Sequence, residues 1–142
     1  ALMALIAGAG NPTGGSNPSG TGNILNYIGE FVYAYSGSFE GSQTTQTVID
    51  TTSSSQVIVG QFQLNACVAT GSPNVGLITG ADISFDGQLV ARIKADGQSE
   101  NTPASQLQAV VIPPYTKITV EVDSDDNQAA RLGTVTFTGR VY

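Results

Sequence analysis

The chain is 142 residues long, the size of one domain, and carries five Lys and Arg against eleven Asp and Glu; 11% of it is charged, where soluble domains average about 25%. It has no His, the commonest general base and metal ligand near neutral pH, and one Cys, which excludes an intrachain disulfide framework and any CxxC zinc or redox site. A net charge of −6 opposes binding to nucleic-acid phosphates, and no apolar run approaches the length of a membrane-spanning helix, so neither direct nucleic acid nor membrane is an expected partner. What remains is rich in Ser and Thr (28 together) and Gly (17), which suits structure or adhesion better than catalysis; no enzyme activity and no cofactor are expected.

Residues 1–26 read as an extended Gly/Pro/Asn-rich arm, and 27–142 as a β-sandwich domain. Ala1 to Gly10 is small and apolar, and Asn11 to Asn23 (NPTGGSNPSGTGN) contains only Asn, Pro, Thr, Gly and Ser. Such a stretch cannot bury enough surface to offset its ordering entropy by itself. It should therefore lie along a neighbouring subunit or a partner, with Leu2, Leu5, Ile6, Pro12, Pro18, Ile24 and Leu25 as the contact side chains. The small residues up to Ala9 suit a signal peptide, but a charged n-region is missing and the apolar run is short, so an arm is the better reading. The first basic residue of the chain is Arg92, so this arm is not built to hold a genome.

From Tyr27 onward the dominant period is two. Phe31, Tyr33, Tyr35 and Phe39 share a parity, predicting one long strand with an aromatic face. Thr44–Thr51 is a second strand. Val57–Thr70 is a third, with Ile58, Phe62, Leu64, Ala66 and Val68 on one face and Gln61, Gln63, Asn65 and Cys67 on the other; Ser72, Pro73 and Asn74 then read as a turn. Leu77–Phe85 is the fourth strand, with Ala81, Ile83 and Phe85 inward. Asp86-Gly87 follows as a hairpin turn, because a type I′ turn needs positive φ at both central residues. Gln88–Ala95 returns with Leu89, Ala91 and Ile93 on one face. Asp96–Pro103 is a polar loop, Gln106–Ile112 the sixth strand, and Pro113-Pro114 ends it for want of N–H donors. Thr116–Asp123 and Gly133–Tyr142 complete the set, separated in part by an acidic loop at 123–128. The pattern predicts an all-β fold, an eight-stranded antiparallel β-sandwich of jelly-roll-like type with an extended N-terminal arm.

Few residues carry recognisable chemistry. Asp123, Asp125, Asp126 and Asn127 offer hard oxygen ligands for Ca²⁺, but Gln128 stands where an EF-hand needs Gly and Thr134 where it needs Glu; a solvated turn is the simpler reading, and no metal is assigned. Glu30, Glu40, Asp50, Asp82 and Asp86 fall near strand ends, and no pair stands out by spacing as a glycosidase dyad. Cys67 has the parity of a surface residue, facing solvent or a subunit contact, with no evident base or cation to activate it. Tyr27, Tyr33 and Tyr35 could stack on a glycan or meet another subunit or the core; the absence of Trp favours burial over sugar stacking. Gln61, Gln63, Asn65, Thr134, Thr136 and Thr138 stand where a solitary sandwich would carry Lys and Glu. Uncharged faces of this kind are compatible with packing against identical copies.

Three stretches taken together, NYIGEFVYAYSGSF (Asn26 to Phe39), VVIPPYTKITVEV (Val110 to Val122) and GTVTFTGRVY (Gly133 to Tyr142), resemble small β-sandwich virion proteins of tailed phages, particularly phages of aquatic bacteria. The resemblance spans Asn26 to Tyr142 and implies a capsid decoration, or cement, protein. It implies assembly as a homo-oligomer, a trimer in most such proteins, bound to the major capsid protein on the capsid surface of the virion and assembled in the host cytoplasm. It carries no catalytic residues. The alternatives are a receptor- or glycan-binding fibre or spike module, a shell subunit of a small jelly-roll virus, and a secreted trimeric ligand of the TNF or C1q kind.

Overall fold

The computed structural model describes residues 25–69, 72–98 and 104–142, with the backbone alone described at 72–74. The described residues are all-β, with eleven strands: β1 (Asn26–Ile28), β2 (Phe31–Tyr35), β3 (Phe39–Gly41), β4 (Gln46–Thr52), β5 (Ile58–Ala69), β6 (Ser72–Gly76), β7 (Ile78–Phe85), β8 (Gln88–Asp96), β9 (Gln108–Ile112), β10 (Lys117–Ser124) and β11 (Gln128–Val141). They form two antiparallel sheets, a β-sandwich. The larger sheet runs β1-β2-β11-β5, with β6 and β9 both on the far side of β5 and β3 on β11; the smaller runs β4-β10-β7-β8.

The count of eleven corrects the expected eight. The predicted strand from Tyr27 to Phe39 is three pieces, because Gly29 (φ +61°) and Gly37 (φ +72°) each turn the backbone where an L side chain would be strained. Ser72, Pro73 and Asn74, expected in a turn, begin the short strand β6 at the sheet edge, where a proline is tolerated. Strands β10 and β11 run further than expected, leaving only residues 125–127 between them. The Asp86-Gly87 hairpin is as predicted: φ is +51° and +82°, and Phe85 pairs with Gln88 across it.

The core lies between the sheets. Ile58, Phe62, Leu64, Ile112, Val135 and Phe137 line it from the larger sheet, and Ile49, Ile83, Ile118, Val120 and Val122 from the smaller. The rings of Phe62 and Phe137, cross-strand partners, sit 4.6 Å apart at 42°. That tilted geometry adds attraction beyond area burial.

The ladder slips at several points, and three of these β-bulges move side chains that the sequence pattern misplaces. In β5, Asn65 pairs with Thr134 and Val68 with Leu132, so Ala66 and Cys67 together oppose Gly133. Both are buried, and Cys67 has no exposed surface, which corrects its expected outward placement. Gly133 makes this possible: a Cβ there would lie 2.7 Å from the Asn65 carbonyl oxygen and 3.0 Å from Cys67 Sγ. The Cys67 N–H, turned out of its ladder, donates to Thr79 Oγ1 of the other sheet at 3.1 Å, which accounts for a fully buried threonine. In β4 the register shift buries Val48 and Ile49 in succession. In β8 the pairing jumps from Ala91 to Leu89, leaving Leu89 and Val90 exposed, so Leu89 does not share the inward face of Ile93.

Candidate functional site

The described acidic residues are dispersed, and most of them are already engaged. Glu30 pairs with Arg140, Asp50 with Lys117 at 3.8 Å, and Asp82 with Arg92 at 3.1 Å, all at exposed sites where such pairs contribute little. Asp86 accepts the Lys117 N–H at 2.8 Å and so holds the hairpin against β10. Between β10 and β11, Asp125 accepts from the Ile78 N–H, Asp126 from the Asn127 N–H and Gln128 Nε2, and Asn127 Oδ1 from the Gln43 N–H. These bonds to the Asn127 N–H and to Gln128 hold the Asp126 carboxyl below the usual carboxylate range. The cluster thus serves local backbone donors, and among the described residues no three His, Cys, Asp or Glu side chains converge as metal ligands. Among the described residues no helix is long and apolar enough to cross a membrane.

The two outer faces of the sandwich differ in charge. Across the smaller sheet, Asp50, Asp82, Arg92, Lys94, Lys117, Glu121 and Asp123 all lie on the outer side. Across the larger sheet the outward residues run in registered rows: Phe31–Arg140–Val59–Val111, then Tyr33–Thr138–Gln61–Ala109, then Tyr35–Thr136–Gln63, then Thr134–Asn65. Arg140 is the one charged side chain in these rows; beyond them, toward the start of β11, Glu40 of β3 is exposed opposite Leu132. Its guanidinium is bonded to Glu30 and sits 5.9 Å from the ring centres of both Phe31 and Tyr142. The six uncharged residues read from sequence as an outward face are therefore gathered on one surface, between exposed or half-buried aromatic and β-branched neighbours.

The aromatic face of β2 belongs to this surface and not to the core. Val32 and Ala34 fill the inward positions, whereas Phe31 is 61% exposed and Tyr33 and Tyr35 are half-buried, their rings 5.1 Å apart at 45°. Phe39, expected on the same face, is buried, because the turn at 36–38 resets the parity. Ile28, Phe31, Tyr33, Tyr35, Thr138 and Gly139 line a shallow groove of about 440 Å³ here.

Tyr27 stands apart from Tyr33 and Tyr35. Its hydroxyl donates to Ser54 Oγ at 3.3 Å, and with Leu25, Asp50, Thr51, Thr52, Ser54 and Lys117 it lines an open groove of about 820 Å³. Leu25 is buried in the chain's own core. The other arm residues proposed as contacts, Leu2, Leu5, Ile6, Pro12, Pro18 and Ile24, lie outside the described residues. Sequence reasoning passed over Ile28, Val111, Tyr115 and Tyr142, all strongly exposed. Tyr115 is the most unusual of them, since it follows Pro113-Pro114 and holds φ at +55°. The two prolines were the only local sign of a constrained turn.

Comparison with known proteins returned no matching family model and no matching curated protein. Among solved structures the chain is similar to the infectious bursal disease virus VP2 subviral particle, at 18% identity and a TM-score of 0.39, covering 78% of this chain and 32% of that one. It is similar to structures of the Gx strain (20% identity, TM-score 0.41, 78% and 32% covered) and the Gt strain of infectious bursal disease virus (21%, 0.34, 76% and 31%). The chain spans about a third of the length of these neighbours.

Proposed function

We propose that this chain is a virion structural protein: a homo-oligomeric, trimeric decoration or cement protein that binds the major capsid protein on the outside of a phage head and stabilises it. The observation that carries the reading is the division of charge between the two outer faces. One is charged and suited to solvent, and the other, apart from the Arg140–Glu30 pair and Glu40 at its β3 end, is uncharged, polar and partly aromatic, suited to being covered. The ladder also fits a jelly roll, an architecture common in viral shells. With the three-residue β1 and β3 and the edge strand β6 set aside, eight strands remain, and β2 pairs β11, β4 pairs β10, β5 pairs β9 and β7 pairs β8. That is one long antiparallel hairpin, folded at Asp86-Gly87 and rolled up. Residues 1–26 would lie on the major capsid protein or a sister subunit, and many copies would bridge capsomer junctions, so that modest single contacts suffice.

Deleting residues 1–22 tests this. The truncated protein should lose occupancy on expanded capsids while keeping its β-sheet circular dichroism; unchanged occupancy refutes the role of the arm. A glycan- or receptor-binding role is the second reading, favoured by half-exposed Tyr33 and Tyr35 beside a groove. It requires a binder on a glycan array that Tyr33→Ala abolishes.

A further inference from the structure

We infer that the outer face of the larger sheet, centred on Phe31, Tyr33, Thr138 and Arg140, is the surface through which copies of this chain contact one another. The inference rests on the homo-oligomer part of the proposed function and assigns it a surface; it does not depend on binding to a capsid.

The choice of occupant follows from charge. Each copy carries a net charge of −6, so bringing two together costs Coulomb energy wherever their carboxylates approach. The acidic residues of the smaller sheet, and Asp125 and Asp126 beyond β10, place that cost on the other surfaces. The rows on β2, β11, β5 and β9 contain no carboxylate, and their one cation is neutralised by Glu30. A nucleic acid would need cations there, and a basic partner would need carboxylates. Here the one cation, Arg140, is already paired with Glu30, leaving neither charge for such a partner, so the surface this face complements best is a neutral one such as its own.

The chemistry is self-complementary as well. Thr134, Thr136, Thr138, Gln61 and Gln63 each offer both donors and acceptors, so a like face can satisfy them in either orientation. Phe31, Ile28, Val111 and Tyr142 supply exposed apolar area around them. Tyr33 and Tyr35 pack on each other, and Arg140 is held between Phe31 and Tyr142, so these large side chains are ordered before contact and lose little entropy on association. Strands β2 and β9, of five residues, and β5 and β11, of twelve and fourteen, lie about 4.8 Å apart and give a plane of about 500 Å², the scale on which specific interfaces bury about 800 Å² of accessible surface per partner.

Sedimentation of the full chain tests the assignment. The unaltered protein should sediment as a multiple of 14.6 kDa, and Phe31→Glu and Thr138→Glu should each weaken association at least tenfold. Thr52→Glu, exposed on the smaller sheet, should leave association unchanged. Two substitutions at exposed positions guard against one failing to fold, and circular dichroism checks each. A protein that stays monomeric at 100 µM overturns both the homo-oligomer reading and this surface. An oligomer that persists in both Phe31→Glu and Thr138→Glu, or that Thr52→Glu dissociates, overturns the surface alone.

Discussion

Ser53 holds the turn between β9 and β10, and its loss should be costly for so small a side chain. It is 4% exposed, and its Oγ accepts the Thr116 N–H at 2.8 Å while donating to the Pro113 carbonyl at 2.8 Å. Its backbone N–H donates to the Thr116 carbonyl at 2.9 Å, and the Ser54 carbonyl accepts the Tyr115 N–H at 2.9 Å. This set of bonds keeps Tyr115 at φ +55°, which costs a non-glycine residue about 1–2 kcal/mol. In Ser53→Ala the Pro113 carbonyl can turn to water, since Pro113 is exposed, but the N–H of buried Thr116 cannot. A stranded buried donor costs about 1–3 kcal/mol and the lost bond to the carbonyl about 1, so a destabilisation of about 2–4 kcal/mol is expected. For a chain of this length that lowers Tm by about 7–13 °C. Thermal melts followed by circular dichroism, with urea titrations to confirm an unchanged m-value, measure it. A loss below about 0.5 kcal/mol would refute the clamp. Tyr115→Gly supplies the cross-check. It removes the positive-φ strain but adds unfolded-chain entropy, so stability should change by less than about 1 kcal/mol. Because there is then less strain to hold, Ser53→Ala should cost less in that background.

Three further outcomes follow from the packing. Phe62→Leu and Phe137→Leu, combined in a double-mutant cycle of urea titrations, should show a coupling of about 1 kcal/mol, the added attraction of the ring pair. Gly133→Ala should lose about 1–3 kcal/mol, because its Cβ would fall 2.7 Å from a backbone oxygen that shifts only with the bulge. Cys67 should resist thiol reagents in the native protein and react on unfolding, since it is fully buried; rapid modification of folded protein would contradict the bulge that buries it.

Much of the architecture is legible from side-chain pattern. The alternation of Phe62, Leu64 and Ile58, of Ile118, Val120 and Val122, and of Val135 and Phe137 put these residues on core faces, and they line the core. Asp86-Gly87 named its turn for a local reason, the need for two positive φ angles. The polar row of Gln61, Gln63, Thr134, Thr136 and Thr138 was visible as missing charge before any fold was known. The acidic loop was visible too, but its carboxylates prove to bond neighbouring backbone donors.

Most of the misplaced faces come from breaks in the ladder. Period two holds only while each residue has one partner, and a bulge inserts a residue without altering the type of any side chain. Cys67 and Leu89 were therefore assigned to the wrong faces, and Phe39 was carried with Tyr35 across a turn that resets the parity. Local sequence chemistry determined that the chain forms strands, where its hairpin closes and which residues are neutral. The tertiary structure decided which strands pair, where the ladder slips and which face those neutral residues share, because pairing depends on contacts between residues far apart in the chain, such as Gly133 opposite Cys67, that no local window contains.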